Sequence, residues 1–247
     1  MAVTLPDAYY KFDEASGNAS DSTVGGNTLT NNGTCLYTSA QLNNGVNFVS
    51  ATSQYMSHAN AAAFQATTSI SISGWVKFAV LPGGAQANYV SKAEAASQRS
   101  YTIEFGVEPN GMYIFSSKDG TANAGSYDEF DSAASLFAAT TWYHVVIIYD
   151  VTNGSVQCYV NNVAKAITRR AAQNVSTLFN GTDSFTVGGN TFGRYSDCQI
   201  DELGFWKNYK LTSSEVTSLY NSGSPLPYSS FQPLNTNGSF LLNFINV

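Results

Sequence analysis

Short runs in which apolar and polar residues alternate, separated by turn-forming residues, recur along most of the chain. In one run Ile70, Ile72 and Val76 alternate with Ser71 and Ser73. A period of two is typical of strands that bury one face. The same pattern occupies residues 101–107, 112–115, 156–160, 185–187 and 199–206. Residues 142–149 are apolar on both faces, which indicates a central strand. The sequence therefore predicts a dozen or more strands.

One segment departs from this pattern and predicts a short helix near residues 212–221. Thr212 and Glu215 have the spacing of a capping box, and Val216, Leu219 and Tyr220 supply an apolar stripe. Gly223 follows at a position typical of a C-terminal cap. We expect this helix to pack against one edge of a β-sandwich.

Composition narrows the class of protein. Of 247 residues, 43% are hydrophobic and 11% are charged, and the formal net charge is −6. The apolar content predicts a globular core, and at this length one large all-β domain is favoured over two. The acidic balance argues against binding nucleic acid through bulk charge.

The sequence carries few signals for the cellular compartment of the protein. The longest apolar run, residues 145–149, is far shorter than a membrane-spanning helix, so we expect no membrane insertion. The first residues lack the basic and apolar segments of a secretory signal peptide. We expect Cys35, Cys158 and Cys198 to be free thiols, with a Cys158–Cys198 disulfide as the alternative.

Several motifs, in order, carry a resemblance to a known family. They begin with Ala8–Gly17 and continue with the segments Gly45–Phe48, Ser53–Met56, Ile70–Val76, Trp142–Val146, Val156–Asn161 and Ile200–Trp206. Together they resemble the laminin-G-like jelly-roll domains of the concanavalin A-like lectin/glucanase superfamily, a type found in phage and bacterial surface proteins.

The resemblance spans about residues 7–224. It implies an all-β, two-sheet antiparallel jelly-roll sandwich, whose concave face and end loops are available for ligands. We therefore predict a jelly roll over residues 1–224 and a C-terminal extension over residues 225–247.

The sequence offers little support for catalysis. Superfamily glucanases carry two Glu and one Asp in a Glu-x-Asp-x-x-Glu strand, and the nearest stretch, Glu129–Ala134, lacks the final Glu. We expect His144 to be a core histidine. Trp75, Trp142 and Trp206 fall in strand motifs that the family uses for its core, so we expect these indoles to be structural. The chain is predicted not to be an enzyme.

The resemblance also implies a structural calcium ion. It places the carboxylate of Asp201 near the N-terminal strand, and Asp13, Asp21 and Asn27 come from the facing segment. Such oxygen ligands suit calcium. The alternative is that Asp13 and Asp21 form Asx turns while Asp201 accepts backbone hydrogen bonds.

Sugar binding requires aromatic faces and planar polar groups. Two loop-like segments, residues 119–131 and 192–197, are richest in both. The predicted ligand-binding residues are Tyr127, Asp128, Glu129, Asp131, Arg194, Tyr195 and Asp197.

The end of the chain suggests protein partners. Phe240, Leu241, Leu242, Phe244 and Ile245 are costly to leave in water. Residues 229–247 therefore either add a strand to this domain or bind another chain.

The leading interpretation is a non-enzymatic recognition module that binds glycans on a virion or cell surface. The alternatives are a virion structural protein (decoration, fibre or tail) and a glucanase-like hydrolase.

Overall fold

The computed structural model describes residues 2–170 and 173–233, which form sixteen strands and one α-helix. The strands are β1 (Ala8–Tyr10), β2 (Thr30–Asn32), β3 (Leu36–Ser39), β4 (Asn44–Phe48), β5 (Tyr55–His58), β6 (Ser69–Phe78), β7 (Ala87–Lys92), β8 (Tyr101–Phe105), β9 (Met112–Ser117), β10 (Tyr127–Ser132), β11 (Trp142–Asp150), β12 (Ser155–Val160), β13 (Val163–Lys165), β14 (Ile167–Arg169), β15 (Phe185–Val187) and β16 (Cys198–Lys207). The helix, α1, spans Ser213–Tyr220. Single 3-10 turns lie at Ser50–Thr52, Ala62–Phe64, Asn221–Gly223 and Tyr228–Ser230.

The strands form two antiparallel sheets. The first sheet has the order β13-β12-β11-β6-β16-β4-β3. Strand β4 pairs with the first part of β16, and β1 pairs with a later part of the same strand. The second sheet has the order β14-β10-β9-β8-β7-β15-β5-β2. The long strands β6, β11 and β16 lie side by side in the first sheet, and their buried faces reflect the apolar runs that predicted them.

The main core fills the space between the sheets. On β6, Ile70, Ile72 and Val76 point into it, and Ile103 and Ile114 of the second sheet meet them from the other side. Alternate residues on each strand therefore belong to the core, as the period-two pattern predicts.

A second apolar cluster covers the outer face of the first sheet. Trp206 and Val146 of the sheet lie under Val216 and Leu219 of α1 and under Phe231 of the C-terminal segment. This cluster explains why β11 is apolar on both faces. It also makes residues 225–233 part of the packed structure.

The two ends of the described chain are joined. Thr4 and Gln232 form a parallel bridge, and the backbone N–H of Gln232 donates to the carbonyl of Val3 at 2.8 Å. The indole Nε1 of Trp206 donates to the carbonyl of Thr4 at 2.8 Å. Residues 229–233 of the predicted partner-binding segment thus contact their own domain, whereas residues 234–247 lie outside the described residues.

The helix begins as the sequence predicts. Thr212 is the N-cap, and its side chain and that of Glu215 form a reciprocal capping box. The C-terminal cap differs from the prediction: the left-handed residue is Asn221, with φ of 43°, and Gly223 lies two residues later. An asparagine tolerates this conformation because its short polar side chain can bond locally.

The all-β sandwich with one short helix is confirmed. One local expectation is wrong, because part of the loop-like segment 119–131 forms strand β10. All three cysteines are buried and free. Across the described residues, no helix has the length and apolar content needed to cross a membrane.

Candidate functional site

Polar and aromatic groups gather on the outer face of the second sheet. Because residues alternate between faces, Thr102 and Glu104 of β8 point away from the core, as do Tyr113 and Phe115 of β9 and Glu129 of β10. They line a cavity of about 150 Å³. A wider depression continues from it and shares Tyr113 and Glu129 with it. We call the two together the outer groove.

A loop between β15 and β16 forms one wall of the outer groove. The backbone N–H of Ser196 donates to the carbonyl of Gly188 at 2.9 Å, which closes the loop at its base. Inside it, Oδ1 of Asn190 accepts hydrogen bonds from the backbone N–H of Phe192 at 3.1 Å and of Arg194 at 3.4 Å. The loop is therefore held by its own hydrogen bonds and presents Phe192 and Arg194 to the groove.

The loop's base depends on glycine. Gly188 has φ of +76°, and a Cβ there would lie 2.6 Å from the ring of Phe48. Both the backbone conformation and the lack of space exclude a larger residue.

A buried ion pair lies at the base of the outer groove. Nη1 of Arg194 donates to Oε1 and Oε2 of Glu104 at 2.8 and 3.0 Å, and Oγ1 of Thr102 donates to Oε1 at 3.0 Å. The side chain of Glu104 is 0% exposed, whereas that of Arg194 is 32% exposed. Burial raises the pKa of Glu104, and the adjacent guanidinium opposes that shift. The pair fixes the position of Arg194 while part of its guanidinium still faces the groove.

A second carboxylate is held by a tyrosine. The hydroxyl of Tyr113 donates to Oε1 of Glu129 at 2.6 Å. Burial raises the pKa of Tyr113 well above its usual value, and the charge of Glu129 raises it further. The phenol therefore keeps its proton and acts as a fixed hydrogen-bond donor.

Aromatic rings lie on both sides of these polar groups. Phe115 stacks on Tyr127, with ring centroids 5.5 Å apart. On the other side, Phe192 is 40% exposed, and the guanidinium carbons of Arg99 and Arg194 lie 5.2 and 5.7 Å from its ring centroid. The outer groove thus combines rings with hydrogen-bonding groups, the chemistry that sugar binding needs.

The structure brings four of the seven predicted ligand-binding residues to the outer groove or its margin. Glu129 and Arg194 line it directly. Tyr127 adjoins it through Phe115, and Asp131 is paired with Arg170, a residue of the wider depression.

The other three lie outside the outer groove and make contacts within the fold. Asp128 faces inward, is 0% exposed and lies 2.9 Å from Arg169. Asp197 accepts hydrogen bonds from the backbone and hydroxyl of Ser50 at 2.8 and 2.5 Å. Tyr195 packs beside Tyr55, with ring centroids 6.2 Å apart. These contacts hold the three side chains away from the outer groove.

Sequence reasoning missed Arg99, Glu104 and Tyr113. Glu104 offered one signal, because it interrupts an apolar strand on the face opposite Ile103. A carboxylate at such a position is either exposed or paired. Its partner, Arg194, is 90 residues away, and no local pattern connects them.

The indoles do not line the outer groove. Trp75 and Trp206 are buried, and Trp142 lies under the ammonium of Lys77 at 4.9 Å. His144 is buried in the first sheet, with Nε2 2.8 Å from the hydroxyl of Ser73. Burial lowers the pKa of His144 to about 3, so it is a neutral core residue.

The four predicted calcium ligands lie in two places. Both carboxylate oxygens of Asp21 accept hydrogen bonds, from the backbone of Tyr9, from Thr23 and from the backbone and side chain of Asn27. This is the Asx-turn arrangement, and it commits both carboxylate oxygens of Asp21 to hydrogen bonds within the chain. These two residues do not fit a shared calcium site with Asp201.

Asp13 and Asp201 suit a bound cation better than Asp21 and Asn27 do. Both accept backbone hydrogen bonds from one turn, Asp201 from Leu42 at 2.8 Å and Asp13 from Asn44 at 3.2 Å. Burial raises the pKa of Asp201 to about 8, and the charge of Asp13 adds to the shift. No partner in the described part of the chain reaches Oδ1 of Asp201. Bound calcium would displace the proton of Asp201 and link the turn to β16, although nowhere in residues 2–170 and 173–233 do three His, Cys, Asp or Glu side chains converge on one point.

The architecture defines a two-sheet antiparallel β-sandwich with a polar and aromatic groove on the outer face of one sheet. Residues 50–217 match the laminin G family described as the concanavalin A-like lectin/glucanases superfamily, and the chain belongs to that superfamily. The resemblance read from the motifs is thereby confirmed. A search among curated protein sequences finds no match.

Solved structures share this fold at low sequence identity. Domain 4 of AbnA, an extracellular arabinanase from Geobacillus stearothermophilus solved with arabinotriose, has a TM-score of 0.65 and 21% identity, over 88% of this chain and 99% of that domain. The binding domain of Paraclostridial Mosquitocidal Protein 1 has a TM-score of 0.63 and 12% identity, over 86% of this chain and 52% of that one. A Trypanosoma rangeli sialidase solved with the inhibitor DANA has a TM-score of 0.57 and 14% identity, over 86% of this chain but 32% of the sialidase. At these identities the likeness concerns the fold alone.

Proposed function

We propose that this chain is a non-enzymatic recognition module that binds glycans in the outer groove, as part of an extracellular or surface-displayed protein. One observation carries the proposal: fixed donors, a fixed acceptor and aromatic rings share one recess outside the core. The arabinotriose named with the arabinanase domain supports a carbohydrate ligand for a domain of this fold.

The side chains have complementary roles in this proposal. The free N–H groups of Arg194 donate to sugar hydroxyls, and the free oxygen of Glu129 accepts from them. Phe192 offers a ring face for stacking on the apolar side of a sugar ring. Because Glu104 and Tyr113 already hold these groups in place, little side-chain entropy is lost on binding.

Neither carboxylate of the outer groove is well placed to act as a catalytic acid. Glycoside hydrolysis needs an acid that can reach the leaving oxygen. Glu104 has no exposed surface, and its oxygens are occupied by Arg194 and Thr102. Glu129 lies on β10, separated from β8 by β9, and its neighbour Tyr113 retains its proton.

The first experiment is a glycan array with the full chain, including arabino-oligosaccharides, followed by calorimetry on the best ligand. Phe192→Ala removes an exposed ring, so it should fold normally and weaken binding about tenfold. Leu36→Ala is the matched control, because Leu36 is 65% exposed on the edge of the first sheet. It should bind like the unmodified chain.

Two results would overturn the proposal. Equal binding by Phe192→Ala and the unmodified chain would remove the outer groove as the site. Release of shorter sugars from the bound oligosaccharide, lost in Glu129→Gln, would make the module a hydrolase.

The virion structural role stays an alternative prediction. It rests on a partner-binding segment at residues 229–247, of which residues 229–233 contact their own domain. A chain ending at residue 233 that changes oligomeric state relative to the full chain would favour that role.

A further inference from the structure

The arginines of this chain are unequally paired. The sequence contains four, and three of them lie within ion-pair distance of a carboxylate. The pairs are Arg169–Asp128 at 2.9 Å, Arg170–Asp131 at 3.2 Å and Arg194–Glu104 at 2.8 Å. Arg99, a residue that lines the outer groove, has no such partner among the described residues.

Each carboxylate of the outer groove is held by a group other than Arg99. Glu104 is bound by Arg194, and Glu129 accepts the hydroxyl of Tyr113. Arg99 instead lies against the face of Phe192, with its guanidinium carbon 5.2 Å from the ring centroid. A cation–π contact of this kind orients a guanidinium without neutralising its charge.

The backbone around Arg99 is fixed. Its N–H donates to the carbonyl of Gly120 at 3.0 Å, and Gly120 lies where a Cβ would come 2.3 Å from the carbonyl of Ser97. Two neighbouring turns are thus packed directly against each other beneath the arginine. The charge of Arg99 is therefore presented to the outer groove from a constrained position.

We propose that the outer groove selects a glycan that carries an anionic substituent, a carboxylate or a sulfate, and that Arg99 binds this group. The inference rests on the proposed function, and it adds the class of sugar. A planar guanidinium matches a carboxylate or sulfate with two parallel hydrogen bonds, which a neutral hydroxyl cannot offer.

The net charge of the whole chain indicates that an anionic glycan would be recognised locally. With a net charge of −6, the protein does not attract anions through its overall field. Recognition of the anionic substituent must therefore depend on a local cation and on sugar contacts. Discrimination should follow a single substituent rather than the total charge of the glycan.

The test uses matched oligosaccharides on the full chain. One arm compares tetragalacturonate with galactotetraose, and the other compares a sulfated galactan oligosaccharide with its desulfated form. We expect the anionic member of at least one pair to bind ten or more times tighter. A charge-assisted hydrogen bond contributes about the free energy that corresponds to a tenfold change in Kd. Arg99→Gln should remove this preference, and Arg99→Lys should restore it only in part.

The control variant is Lys165→Gln, which removes a cation from β13 in the other sheet and should leave the preference intact. The two arms distinguish carboxylate from sulfate. If galactotetraose and tetragalacturonate, and likewise the two galactans, bind equally and Arg99→Gln changes nothing, the inference is wrong. If Phe192→Ala still weakens glycan binding in that case, the proposed function stands although the inference about Arg99 fails. If no probe or array glycan binds at all, both are overturned.

Discussion

The ion pair of Asp128 with Arg169 allows the role of a predicted ligand residue to be tested by stability. Nη1 of Arg169 lies 2.9 Å from Oδ2 of Asp128, while the guanidinium covers the ring of Phe130 at 4.4 Å. The carboxylate also accepts the backbone N–H of Asn174 at 2.7 Å. Asp128 thus joins β14 and the following segment to β10.

The size of the effect follows from burial. Arg169→Met keeps an unbranched chain over Phe130 but leaves the carboxylate of Asp128, which is 0% exposed, without a cation. Breaking a buried pair costs about 3–5 kcal/mol, and the partial exposure of Arg169, 22%, favours the lower end. We expect a loss of about 3 kcal/mol, or roughly 6–12 °C in Tm for a chain of this size.

The assay is urea unfolding followed by tryptophan fluorescence, with stability taken from the midpoint at constant slope. Arg170→Met is the matched control. Arg170 is the next residue and 45% exposed, and its partner Asp131 lies nearer the surface than Asp128. Its loss should cost less than about 1 kcal/mol. Asp128→Asn should be milder than Arg169→Met, because the arginine left behind can reach water.

Two outcomes contradict this reasoning. Equal effects of Arg169→Met and Arg170→Met would mean that burial does not set the cost. Loss of glycan binding in Asp128→Asn, with the unfolding midpoint unchanged, would return Asp128 to the ligand-binding role predicted from sequence.

Four further predictions concern other parts of the molecule. Glu104→Gln should weaken glycan binding about tenfold by calorimetry, because Arg194 loses its charged partner while the shape is kept. Burial raises the pKa of Cys158 to about 12, so the unfolded chain loses this thiol proton first, and as pH rises above about 9 this one thiol should lower the free energy of unfolding, measured by urea, by up to roughly 1.4 kcal/mol per pH unit. Cys158→Ala should make that decline shallower. Phe231→Ala should cost about 3 kcal/mol, measured by urea unfolding, since the ring is buried in the second cluster. Calcium should raise Tm relative to chelator in the unmodified chain but not in Asp201→Asn, and an equal shift in both would exclude Asp201 as a ligand.

The fold could be predicted because its determinants are local. Period-two alternation gave the direction of Ile70 and Ile72 in β6, and residues apolar on both faces marked β11 as central. The capping box at Thr212 gave the helix start. Alternation could not predict the order of the strands, because β8 and β9 pair locally, whereas the paired residues of β6 and β16 lie 120 to 137 residues apart in the chain.

The candidate site could be predicted only in part. Strand β10 carries polar residues on both faces, so its sequence resembled a loop, and Asp128 and Glu129 looked equivalent. Pairing with β9 and β14 directs them to opposite sides, one to the framework and one to the outer groove. The inward carboxylate is tolerated because Arg169 comes from the neighbouring strand, which no pattern within β10 indicates.

The ion pair between Glu104 and Arg194 is the strongest reason to place function in the outer groove. A carboxylate with no exposed surface adds little net stability when paired, since desolvation offsets the attraction. A packed apolar residue would serve the fold at least as well at that position. The pair instead holds a guanidinium, 32% exposed, at a fixed point in the groove. Together with the loop closed at Gly188, this arrangement fixes the position of a hydrogen-bond donor without adding much to the stability of the fold. A preorganised binding site requires such a fixed donor.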